Sequence, residues 1–204
     1  MNRDTTMKRI YISIMLLSVS ALSFGQDFEK NIASARGSYS AGNLEDARFA
    51  MQQMLNDLDV IIGREVLKVL PSKMGALAAV TANDNVTANT GIAGVMIHRE
   101  YGSGQKVYNL DLMSNSPLIA SVNAILSIPF IGNSGDGTQK VIKVEGYKGM
   151  LQKSVDETTK KTDYTLQIPI GSTLLTFTAP DTSEDEVIKM ANTIPLSQIT
   201  KLVE

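Results

Sequence analysis

His98 is the only histidine in the chain and the natural place to look for acid–base chemistry. It lies in Val95-Met-Ile-His-Arg-Glu100, where strand alternation puts Met96, His98 and Glu100 on one face. Asp111 belongs to the next alternating segment, Lys106–Met113, so the three side chains sit on neighbouring strands of one hairpin. An imidazole between two carboxylates could act as the general base of a hydrolase, with an acid orienting the ring. The nucleophile of such a site has no signature here. No serine stands in a Gly-x-Ser-x-Gly elbow, and Gly102-Ser-Gly104 reads as a hairpin turn. The expectation is a structural or surface His98. A small hydrolase-like enzyme using His98, Glu100 and Asp111 is the alternative.

Other chemistries find less support. One histidine and no cysteine leave no paired-histidine or thiolate metal site, so neither metal nor cofactor is expected. The run Gly132-Asn-Ser-Gly-Asp-Gly137 lacks the Gly-Lys-Ser/Thr ending of a phosphate cradle. It also lacks the alternating acids and closing glutamate of a calcium loop, and reads as a connector. Lys140, Lys143, Lys148 and Lys153, with Lys160 and Lys161 after them, concentrate positive charge in one hairpin. A solvated sheet face is the expected meaning, with peripheral contact to an anionic surface as the second. The chain as a whole is slightly acidic, at net −2, which is no nucleic-acid footprint.

Two kinds of element must position these residues. From Gln26 to Leu70 there is no proline, and Ala35, Tyr39, Leu44, Ala47, Met51, Met54, Leu55 and Leu58 recur at helical spacing. Gly42 turns the chain there and Asn43 is placed to cap the second helix. From Pro71 onward the pattern changes to alternation. A glycine turn joins strands over Val95–Tyr101 and Lys106–Met113, after which Ser116-Pro117 opens a helix that Pro129 ends. Further strands follow at Lys140–Val144, Lys148–Val155, Tyr164–Ile170 and Thr173–Ala179. Thr81–Thr90 reads as a loop or irregular edge strand. Ser183 and Glu186 are spaced for a capping box, and an amphipathic tail runs from Leu196 to Val203. Short connections between strands predict an α+β fold, an antiparallel sheet covered on one face by helices as a two-layer sandwich, preceded by an N-terminal helical hairpin.

The order hairpin, helix, hairpin, hairpin, terminal helix over Pro71–Glu204 is similar to the Mog1/PsbP-like sandwiches. That resemblance implies a non-catalytic accessory or partner-binding module and assigns no functional residue. Ala35…Tyr39…Gly42-Asn-Leu-Glu-Asp-Ala47…Met51, within Asn31–Leu58, resembles one tetratricopeptide-type hairpin. A stacked array of such hairpins needs about three copies, so a single hairpin packed on the next domain is expected.

Lys8 and Arg9 precede an apolar run from Ile10 to Phe24, with small residues at Ser23 and Gly25. The run is shorter than the ~20 residues that span a bilayer, and the pattern is that of a bacterial secretory signal over residues 1–25. Its removal would leave 16 basic against 20 acidic residues. The domain expectation is a signal peptide at 1–25, a helical arm at 26–70 and the sandwich at 71–204. The functional expectation is an exported, periplasmic or secreted protein that binds an envelope protein or peptide without catalysing a reaction.

Overall fold

The structure is a computed structural model that describes residues 23–89, 94–128 and 137–204. The expected signal segment falls almost wholly outside the described residues, as do Pro129 and the glycine-rich run before Gly137. The chain divides into two compact units, Met1–Leu58 and Asp59–Glu204. That division precedes the expected boundary at Leu70, because Val66 and Leu70 belong to the second unit's core.

In the first unit, α1 (Ser23–Ser40) and the beginning of α2 (Leu44–Val69) form a helical pair turned at Gly42. The Asn31 amide donates to Asp57 across the pair at 2.9 Å. Asn43 donates to Asp46 at 2.5 Å, beside the start of α2. The buried apolar residues here are Ala35, Ala47 and Ala50, small enough to let two helices approach closely. Tyr39, Leu44, Phe49, Met51, Leu55 and Leu58 are exposed. The helical spacing is real, but most of its large members are exposed and its buried apolar positions are alanines.

The second unit is built on a seven-stranded, wholly antiparallel sheet in the order β3-β4-β5-β9-β8-β7-β6. The strands are β3 (Asn85–Asn89), β4 (Gly94–Ser103), β5 (Lys106–Ser114), β6 (Gln139–Val144), β7 (Tyr147–Val155), β8 (Thr162–Ile170) and β9 (Thr173–Ala179). A separate two-stranded hairpin, β1 (Lys73–Met74) with β2 (Leu77–Ala78), precedes them. Thr81–Asn89 thus supplies a 3-10 turn and a true edge strand. Period-two burial explains the sheet. On β8, Tyr164, Leu166, Ile168 and Ile170 are buried while Thr165 and Gln167 are half-exposed.

The main core lies on the face that receives Ile97, Leu110, Leu166, Leu175 and Phe177. It is closed by α4 (Glu184–Ala191), α5 (Leu196–Val203) and the last turns of α2. Tyr108 and Phe177 meet edge to face there, with centroids 6.1 Å apart. The Ser183–Glu186 capping box opens α4 as its spacing predicts. The expected antiparallel sheet with helical cover is therefore present. In addition, α3 (Ile119–Ser127) packs Val122 and Leu126 on Met150 and Leu174, which point away from the main core. α3 begins later than Pro117. Ser116 is buried and accepts from Leu118 N–H at 3.3 Å, so it closes the preceding turn and does not cap the helix itself.

Candidate functional site

Strand register brings the sequence-predicted trio together. His98 and Asp111 stand directly opposite on β4 and β5, and Glu100 lies two residues along the same face. His98 Nδ1 is 2.6 Å from Asp111 Oδ1, and Nε2 is 3.4 Å from Glu100 Oε1. Burial of the ring opposes its charge, but hydrogen bonding and attraction from Asp111, then Glu100, lift its pKa above the ordinary 6.5. The Asn83 amide donates to Glu100 at 2.6 Å and, ahead of His98, holds that carboxyl below the usual range. The two carboxylates thus favour the charged form of the ring over the neutral one. The rows beside the trio hold Asn109, Thr176 and Thr178, half-exposed on the same face. Among the described residues, no group of three or more metal-ligating side chains is gathered to hold an ion.

The lysines do not make one patch. Lys140 donates to Glu184 at 2.5 Å, and Lys161 to Asp181 at 2.9 Å. Lys143 and Lys148 are exposed and face each other across the β6–β7 ladder. Lys153 pairs in register with Tyr164 and shares its face of the sheet. Strand alternation thus separates Lys143 and Lys148 from Lys140 and Lys153.

A concave site lies on the opposite face of the sheet from His98. Tyr108 and Asp111 differ in parity on β5, so the first looks toward the helices and the second away. Over Tyr108, between the β1–β2 hairpin and α4, is a hollow of about 340 Å³. Its floor is Tyr108 and Met190, both almost fully buried, with Leu77 half-buried beside them. Gly75 and Ala76 form one wall. Gly75 turns there at φ +58°, and a Cβ would stand 3.2 Å from Met190 Sδ, so this wall needs glycine.

The charged groups of the hollow are Lys106, Lys189 and Glu186. Lys106 Nζ sits 5.6 Å from the Tyr108 ring centroid, a cation–π contact. The Glu186 carboxylate already accepts from Thr182 and from Ser183, whose hydrogen bonds hold its pKa down. A shallower hollow of about 440 Å³ follows Ala78–Val80, Gly102 and Ser103, and shares Ala76, Leu77 and Lys106 with the first. The volume of the first hollow lies at the small end of ligand sites, and its apolar lining with a few charged groups is their usual composition.

The sequence reading missed Lys106, Tyr108, Lys189 and Met190. Glu186 and Lys189 stand three residues apart on α4, but nothing local in the sequence joins them to β5 or to Gly75. One buried pair also escaped notice. Arg99 Nε and Nη2 donate to the two Asp84 oxygens at 2.8 and 2.5 Å, and Nη1 donates to the Leu70 carbonyl at 3.4 Å. Next to it Tyr101 is fully buried, its hydroxyl unpartnered among the described residues, and burial pushes its pKa up to about 12. Arg99 and Tyr101 are buried and Asp84 is largely covered, so they offer little surface to a ligand. Compared with known proteins, the chain matches no family model, no curated protein and no solved structure.

Proposed function

We propose that this chain is an exported bacterial protein that works by binding, as an accessory or partner-binding module of the cell envelope, with the hollow over Tyr108 as its contact site. One observation carries the reading. The concave apolar surface has a floor of core side chains, whereas the acid–base residues stand on the other face of the sheet, the face on which α3 packs. Export is supported by Lys8-Arg9, the apolar run to Phe24 and the small residues Ser23 and Gly25. The test is expression of the tagged full-length chain, followed by fractionation, N-terminal sequencing and crosslinking in envelope extracts. The expected outcome is a mature chain beginning near Gln26 outside the cytoplasm, crosslinked to an envelope component from Ala76. A full-length chain held in the cytoplasm, or no crosslink above background, refutes the proposal.

The 2.6 Å contact between His98 and Asp111 favours a second reading, a hydrolase with the ring as base. Turnover of simple esters or amides that disappears in His98→Gln would establish it and displace the first.

A further inference from the structure

We infer that the hollow over Tyr108 takes a monoanionic amphiphile, an unbranched hydrocarbon chain of roughly ten carbons ending in a carboxylate, with Lys106 and Lys189 holding the acid group. The inference rests on the binding reading above and specifies the ligand. Size comes first. A volume of about 340 Å³ holds roughly eleven water-sized heavy atoms at about 30 Å³ each. The side chains of Tyr108, Met190 and Leu77 are apolar apart from the tyrosine hydroxyl and the methionine sulfur. A peptide amide turned against that floor would find few partners there. A hydrocarbon needs none, so the lining favours an alkyl chain.

Charge comes second. The charged groups of the hollow carry two ammonium ions and one carboxylate, a balance of one positive charge. Glu186 is committed to Thr182 and Ser183 at the start of α4. The half-exposed Lys106 lies against the Tyr108 ring, and Lys189 is exposed. Both stems can lie along apolar surface while their heads reach one anion at the mouth. A single carboxylate completes this arrangement, and a neutral or cationic head does not.

The test is calorimetric titration of the full chain with monomeric decanoate, decanol and decyltrimethylammonium. Decanoate is expected to bind at least roughly tenfold more tightly than decanol, and the cation more weakly still. In Lys106→Gln/Lys189→Gln the decanoate affinity falls to the decanol level while decanol is unchanged, and Lys106→Arg/Lys189→Arg restores the gap. Ala76→Trp, on the exposed turn, abolishes binding of all three with no change in thermal midpoint.

Equal binding of decanoate and decanol overturns the assignment of the lysines. Binding only to anionic phospholipid vesicles, or only to a peptide with an apolar C-terminal residue, replaces the ligand with that class. No binding of any probe overturns the amphiphile site, and the envelope-partner reading then stands or falls on its own crosslinking result.

Discussion

His98, set between two carboxylates, links the stability of the fold to pH. Its pKa is raised in the folded chain, so the native state holds a proton that the unfolded chain releases near its ordinary 6.5. The stabilisation is complete below 6.5 and is lost as pH rises through the higher folded value. Urea midpoints measured between about pH 5 and about pH 8 are expected to fall with rising pH, and His98→Gln flattens that slope. A variant with the wild-type slope would show that the ring is not the group responsible. Arg99 and Asp84 act as an ion pair. The Arg99 side chain is buried, Asp84 is partly exposed and the pair is bidentate, so Asp84→Ala leaves a covered guanidinium without its partner and is expected to cost about 3 kcal/mol. Adding Arg99→Met should recover much of that loss, as chemical denaturation of the single and double variants will show.

At the scale of elements, close packing between strands gives the sharpest expectation. A Cβ on Gly149 of β7 would lie 2.9 Å from Ile168 Cγ1 and from Leu166 Cδ1, and 3.2 Å from the Gln167 carbonyl. Both side chains belong to the main core and cannot retreat. Gly149→Ala is therefore expected to cost about 1–3 kcal/mol, read from the denaturation midpoint. Most elements were legible in the sequence. Tyr164–Ile170 alternates cleanly because one face of β8 is buried and the other is not. Ser183 and Glu186 announce α4 because the capping box is a local bond pattern. The arm was legible as helices but not in its packing, since spacing cannot say whether Ala47 or Met51 turns inward. The hollow was not legible at all. Gly75, Tyr108 and Met190 meet only through tertiary contacts, which leave no local signature.

For the second unit as a whole, every neighbouring pair in the sheet is consecutive in sequence except one. β3-β4-β5 and β9-β8-β7-β6 are two chains of hairpins, joined where Leu112 meets Leu175. Each half can zip locally, but the central joint must first close a long loop, whose entropy cost precedes any reward. That joint is expected to set the pace of folding. Leu175→Ala should slow refolding in stopped-flow measurements more than Leu151→Ala does, relative to the stability each removes. Equal slowing by both would refute it. Until the joint closes, β5 and β9 each present an unpaired row of amides and carbonyls. In that interval the nascent protein is most exposed to association with its own kind and most in need of a chaperone.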